Sequence, residues 1–341
     1  MSTSEGKMSD LGSSAPWPAG AAARPKVGAR TIFFGLLLLV AVTLPFISKN
    51  FFIFQTTVVM VYAIAILGLN LLIGVNGQFS LGHGAFYALG AYTAAILMET
   101  FGLHYAWTLP IAAALCFVAG FLFGLPALRL EGVYLALATF ALAVTTPQLL
   151  KLSPFEGFTG GVQGIVITKP GAPFGLPLNS DQWLYFLTLA IGLLLYWLVH
   201  NIVHSRTGRA FMAIRDNPIA ASSMGVNTSL YKATAFGVSA MITGVAGSLG
   251  AIVIQFVAPD SFTFALSVQL LVGLVIGGVG WLPGALIGAV FVVFIPNVAE
   301  EISKGLAGAC YGVLLILVIY LAPQGADGVI RAAVDRFKRL L

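Results

Sequence analysis

The chain is 341 residues long, with 59% hydrophobic and only 9% charged residues, and its mean hydropathy is +0.97. Soluble domains carry about 25% charged residues, so this composition excludes a water-covered surface of ordinary size and requires lipid around most of the fold. A net charge of +5 would suit nucleic acid, but the basic residues sit in tails and short loops between apolar runs, which is a pattern of membrane orientation.

Residues 1–30 are rich in Ser, Gly, Ala and Pro and read as a disordered cytosolic tail. The basic cluster Arg24, Lys26 and Arg30 comes late and precedes the first apolar run, which therefore reads as an uncleaved span rather than a signal peptide. Apolar runs follow at 31–47, 51–75, 80–98, 106–128, 132–150, 182–203, 232–257, 265–282, 284–299 and 309–322. They predict an all-α fold: a polytopic transmembrane helix bundle of about ten spans in a membrane domain at 31–325. A basic cytosolic tail at 326–341 closes the chain. The pair of runs around Trp281–Gly284 suits short or re-entrant helices. Two loops, 151–181 and 204–231, are long.

Threading ten spans with the N-terminus in the cytosol tests this assignment. The cytosolic side then holds Lys7, Arg24, Lys26, Arg30, Arg129, Arg206, Arg209, Arg215, Lys232, Arg331, Arg336, Lys338 and Arg339, and the outer side Lys49, Lys151, Lys169 and Lys304. All 17 basic residues are placed, none in mid-membrane, and the split of 13 to 4 obeys the positive-inside rule with both termini cytosolic. Glycines four apart recur at Gly120/Gly124, Gly273/Gly277, Gly280/Gly284/Gly288 and Gly308/Gly312. Such spacing lets helix backbones approach closely, within one chain or across a dimer seam.

Several chemistries lack their parts. There is no phosphate-cradling Gly-x-x-x-x-Gly-Lys-Ser/Thr, no zincin His-Glu-x-x-His and no Gly-x-Ser-x-Gly elbow. Cys116 and Cys310 lie singly in apolar runs and read as small buried hydrophobes. His200 and His204 share a helix face, but no nearby Cys or carboxylate completes a metal site, so they read as a solvated helix end. Neither a cofactor nor a metal is called for. Glu99, Glu131, Asp181, Asp260, Glu300 and Glu301 all fall near span ends, which leaves an ion-coupled carrier without its usual intramembrane carboxylates.

Two stretches concentrate polar signal. The first is Asn76-Gly77-Gln78-Phe79-Ser80-Leu81-Gly82-His83-Gly84, where Gln78, Ser80 and His83 stand among glycines. Irregular Gly-rich backbone survives at membrane depth only inside protein or beside a watery cavity. These residues either line a translocation path or form a tight helix start whose Gln and His bond to neighbouring loops. The second is the loop 204–231, with Arg209, Arg215 and Asp216 ahead of Asn217-Pro218-Ile219-Ala220-Ala221 and Gly225. Asn217 before Pro218 predicts a capped helix start, and Gly225 a stop about two turns later. Its apolar Ile219 and Met224 need either the bilayer or a cytosolic partner to cover them.

With Gly77-Gln78-Phe79-Ser80-Leu81-Gly82-His83-Gly84-Ala85-Phe86, Leu130-Glu131-Gly132-Val133-Tyr134, Thr159-Gly160-Gly161-Val162-Gln163-Gly164, Phe256-Val257-Ala258-Pro259-Asp260 and Gly277-Gly278-Val279-Gly280-Trp281-Leu282-Pro283-Gly284, the sequence from about 55 to 325 resembles the permease subunits of branched-chain amino-acid ABC importers. These are of the LivH/LivM type, and the resemblance is closer to the LivM half. It implies a bacterial inner-membrane subunit that is not itself an enzyme. It also implies the partners: a second, LivH-like permease chain, two cytosolic ABC ATPase subunits and a periplasmic substrate-binding protein delivering leucine, isoleucine or valine. Ala220-Ala221-x-x-x-Gly225 resembles the ATPase-contacting motif, with Ile219 where many importers carry Glu; Arg209, Arg215, Asp216, Asn217 and Pro218 would flank that contact. The residues leave room for other cargo in the same family, such as urea, short amides or other amino acids. They also leave room for a different class, an ion-coupled carrier or channel acting without an ATPase.

Overall fold

A computed structural model describes residues 40–127, 130, 132–173, 177–302 and, beyond these, 312–313, 316, 320 and 325–328. Outside the described residues lie Lys7, Arg24, Lys26, Arg30, Arg129, Glu131, Lys304, Gly308, Cys310, Arg331, Arg336, Lys338 and Arg339, the whole N-terminal tail, the C-terminal tail from 329 on, and most of the runs at 31–47 and 309–322. The chain divides after Ile47 into two units. Within the first, residues 40–47 are helical (α1).

The second unit is built almost entirely of helices, which satisfy their backbone amides within each segment and need no water to do so. In chain order these are α2 (Asn50–Asn70), α3 (His83–Glu99), α4 (Tyr105–Ala127), α5 (Val133–Leu150), α6 (Ser153–Thr159), α7 (Ser180–His204), α8 (Arg206–Asp216), α9 (Pro218–Ser223), α10 (Thr228–Ile254), α11 (Phe264–Gly277) and α12 (Gly284–Ile302). The runs predicted from hydropathy at 51–75, 80–98, 106–128, 132–150 and 182–203 each coincide with one helix to within a few residues. Among the described residues five helices are long and apolar enough to cross a membrane, and Phe264–Gly277 and Gly284–Val298 are shorter apolar helices.

Local sequence explains the breaks. A capping box opens α7: the Asn179 side chain takes the N3 amide while Gln182 Oε1 accepts from the Asn179 N–H at 3.0 Å. Gly160, in the left-handed region at φ +69°, ends α6. The sequence places no strand here, yet β1 (Ile165–Val166) and β2 (Phe256–Val257) pair antiparallel, with Ile165 opposite Val257.

At the centre, α10 packs on α2, α3 and α4, and α2 also lies against α7, α11 and α12. The small-residue spacing is used inside one chain. Gly120 faces Ala240, Gly124 faces Ala233, and Gly273 and Gly277 meet Gly288 and Gly284 across the α11–α12 hairpin. A Cβ on Gly90 would strike the Gly244 carbonyl oxygen, so α3 and α10 cross in backbone contact.

The connections gather at two ends of the bundle. One end holds the β1–β2 pair, the Lys151–Asp260 ion pair at 2.5 Å, the Lys169–Asp181 ion pair, and Glu99, which accepts from the Thr168 amide at 3.2 Å. The other holds the turn after α2, the helices α8 and α9, and the α11–α12 hairpin.

Candidate functional site

The site lies at that second end, where α2 stops. The last α-helical residue of α2, Asn70, is followed by a π-helical turn, Leu71–Val75, and the amides that follow turn back unevenly. Asn76 donates to Leu71, Gly77 to Ile73 and Gln78 to Leu72. The wider turn leaves carbonyls to be met by side chains.

Two side chains fasten this turn to its surroundings, and one of them, Arg215, meets a turn carbonyl. Asn70 is fully buried; its Oδ1 accepts from the Gly280 amide at 2.8 Å and its Nδ2 donates to the Trp281 carbonyl at 3.0 Å. It thereby ties α2 to the hairpin at 278–283. Arg215, from α8, donates through Nη1 to the Gly74 carbonyl at 2.9 Å and pairs with Asp216 through Nε and Nη2, both at 3.0 Å. Gly77 has φ +78°, and a Cβ there would meet Arg215 Cγ at 2.6 Å, so the arginine stem lies directly on the turn. Gln78 is buried beside it, donating to Asn76 Oδ1 at 2.6 Å and to the Lys232 carbonyl at the start of α10 at 3.0 Å.

Deeper in the bundle, a hydrogen-bonded relay crosses three helices. Ser239 on α10 gives its hydroxyl proton to the Gly68 carbonyl of α2 at 2.6 Å. Its oxygen is therefore free to accept from His83 Nε2 at 2.7 Å, leaving Nδ1 to accept the Ser80 hydroxyl at 2.9 Å. Ser80, His83 and Ser239 are each no more than 1% exposed. The Gly84 amide donates to Ser267 of α11 and the Leu81 amide to Thr139 of α5, both at 2.9 Å. The start of α3 is thus tied to four other helices. Gln78, Ser80 and His83 are thus each hydrogen-bonded to neighbouring side chains or backbone of this chain.

The loop 204–231 is folded. The reading of one short helix after Asn217 matches α9, whose Asn217 Oδ1 accepts from the Ile219 and Ala220 amides at 3.1 and 3.0 Å, with Gly225 at φ +83° just beyond its end. The helix α8 is an addition that the sequence pattern does not announce. Ser205 caps it by accepting from the Thr207 and Gly208 amides, and Phe211 and Ile214 turn inward, Phe211 edge-on to Tyr231 of α10. Ala221 seats α9 on the protein, while Arg209, Asp216, Ala220 and Gly225 are exposed. Ile219 and Met224 are 77% and 87% exposed. His200 and His204 lie with ring centroids 4.1 Å apart and planes tilted by 36° on the exposed end of α7, and no cluster of metal ligands occurs among the described residues.

Residues 51–322 match a family model described as the branched-chain amino acid transport system permease component. The chain belongs to this permease family. It is 34% identical over 317 residues to the high-affinity branched-chain amino acid transport system permease protein LivM of Salmonella typhimurium, covering 86% of this chain and 74% of that one. LivH of the same organism is 25% identical over 292 residues, covering 78% of this chain and 91% of the relative. The autoinducer 2 import system permease protein LsrC of Escherichia coli is 27% identical over 315 residues, covering 87% and 88%. No solved structure matches the chain. The permease thus stands closer to the LivM type, as its motifs implied.

Sequence reasoning missed Asn70, Ser239 and Ser267 as site residues of the permease. Asn70 left a readable mark, a lone amide in an otherwise apolar run, but the usual sign of function inside a membrane is an ionisable group, and an amide does not give it.

Proposed function

We propose that this permease translocates branched-chain amino acids across the bacterial inner membrane as one of two permease chains, with ATP hydrolysed by two ATPase subunits docked on α8 and α9. The observation that carries the reading is the ridge formed by Ile219 and Met224. Ile219 on the short helix that Asn217 caps and Ala221 seats, and Met224 just beyond its end, stand exposed at the polar end of the bundle. Large exposed apolar groups beside polar ones suit a protein partner, and Arg209, Ala220 and Gly225 surround this ridge on the same loop. The proposed sidedness follows: this end faces the cytosol and the end bearing β1–β2 faces the periplasm, where a binding protein delivers solute. Both termini are then cytosolic in the ten-span scheme. Among the residues whose burial is described, no Asp, Glu, Lys or Arg is buried, which supports energy from an ATPase rather than from an ion gradient.

The experiment is uptake of a labelled amino-acid panel in a strain lacking this chain, with and without its restoration. Recovery of leucine, isoleucine and valine uptake that needs the ATPase genes is the expected result. Concentrative uptake without an ATPase would place the chain among ion-coupled carriers or channels. The similarity to LsrC over most of the chain supports a second reading, the same machine with another cargo such as urea, a short amide or another amino acid.

A further inference from the structure

We propose that Arg215 is not a docking contact but a positioning residue: a guanidinium cap on the π turn that transmits movement of α8 and α9 to α2 and to the 278–283 hairpin. The inference rests on the docking reading above and assigns how the docked loop is joined to the spans. A helix C-terminus carries partial negative charge and unpaired carbonyls, which a cation at the last turn satisfies. Here the cation comes from the loop rather than from α2 itself, since Arg215 reaches the Gly74 carbonyl from 141 residues away in sequence.

The fit is built from both sides. Gly77 at φ +78° leaves the room that the Arg215 stem occupies. Asp216 holds the other side of the guanidinium, so the head is oriented rather than free. The rest of α8 is anchored by Phe211 and Ile214, both buried, so the arginine moves with its helix. From Gly74 the connection passes on: a Cβ at Gly74 would meet the Gly280 nitrogen at 2.5 Å, and Asn70, one turn earlier, holds Gly280 and Trp281. Beside it the side-chain nitrogen of Asn76 is buried without a partner among the described residues. A buried donor left unmet has a partner to gain if the turn rearranges. A π turn has more than one way to close, which suits it to be the element that changes.

The test uses the assembled importer, with its second permease, ATPases and binding protein, in proteoliposomes with labelled leucine. Arg215→Ala is expected to keep the ATPases copurifying at the wild-type level while leucine imported per ATP hydrolysed falls about tenfold, the scale of one charged hydrogen bond. Arg215→Lys, which keeps a cation for the carbonyl, restores most of the coupling. Loss of ATPase copurification in Arg215→Ala would make Arg215 a docking contact after all, and unchanged coupling would leave it without a role; either overturns the proposal. Should Arg215→Ala fail to accumulate in the membrane, Gly77→Ala decides, because it displaces the arginine stem without touching the outer face of α8. Full coupling in Gly77→Ala overturns the proposal as well. A wild-type importer that takes up no leucine but retains its ATPases would instead refute the cargo assignment, leaving the ratio to be measured on the solute it does carry.

Discussion

Replacing His83 with alanine removes an imidazole that is 1% exposed and bonded at both nitrogens. Hydrogen bonds between membrane helices are worth roughly 0.6–1 kcal/mol each, so the two together contribute about 1–2 kcal/mol. The lost ring leaves a cavity of roughly 60 Å³ between Phe86 and Phe236, which costs about 1.5 kcal/mol at ~24 cal/mol per Å³. The total is about 3 kcal/mol, equivalent to a fall of roughly 4 °C in the half-denaturation temperature for a chain of this size at about 2.1 cal/mol/K per residue. The assay is heat-induced loss of monodisperse protein in detergent, read together with uptake in cells. Ser239→Ala should lose less, and the double variant should lose less than the sum, because Ser239 and His83 share one bond. If His83→Ala keeps full thermal stability yet abolishes uptake, the imidazole meets solute and not the Ser80–Ser239 relay, and the reasoning fails.

Contacts elsewhere give three more expectations. Gly90→Ala should destabilise by about 1–3 kcal/mol, because its Cβ would strike the Gly244 carbonyl and push the crossing backbones of α3 and α10 away from each other; the same thermal assay measures it, and an unchanged midpoint would deny the crossing. Asn70→Ala removes both bonds to the 278–283 hairpin and should raise amide exchange at Gly280–Leu282 before it affects the outer end; uniform exchange across the chain would count against a local tie. Ile219→Asp combined with Met224→Asp should leave insertion intact, both side chains being exposed, and cut ATPase copurification by about tenfold or more; undiminished copurification would remove this ridge from the docking face.

Most of the architecture was legible because lipid imposes one rule on every span: apolar side chains, closed hydrogen bonds and helical backbone. Segment positions followed from hydropathy alone, and the cap at Asn217-Pro218 was readable because capping depends on neighbours in sequence. What stayed hidden is non-local. The helix α8 is too short and too polar overall to show in a hydropathy reading, although it is amphipathic, and its inward face is fixed by Phe211 meeting Tyr231 of α10. The partners of His83 and Arg215 lie 156 and 141 residues away, and no local pattern predicts such pairings. The same holds for β1 and β2, two residues each, whose pairing exists only because two loops meet. The π turn has no hydropathy signature, since Leu71–Val75 is as apolar as the helix before it.

The division of burial among the helices then bears on how they act together. Along their most apolar stretches α10 is 83% and α2 72% buried, whereas α5 is 22% and α7 only 17%. Polar side chains bond across helices in both groups: Asn70 on α2, Ser239 on α10 and His83 where α3 begins, but also Thr139 on α5 and Trp183 on α7, which donates to Tyr105 of α4. The folded loop touches α2 and α10 directly, since α10 begins where the loop ends, Gln78 holds the Lys232 carbonyl, and Arg215 holds the last turn of α2. The loop is therefore joined to α2 by the Arg215–Gly74 hydrogen bond and to α10 by the Phe211–Tyr231 ring contact. On the docking proposed above, Arg215 and Gln78 are the directional polar links from the loop to the turn after α2 and to α10.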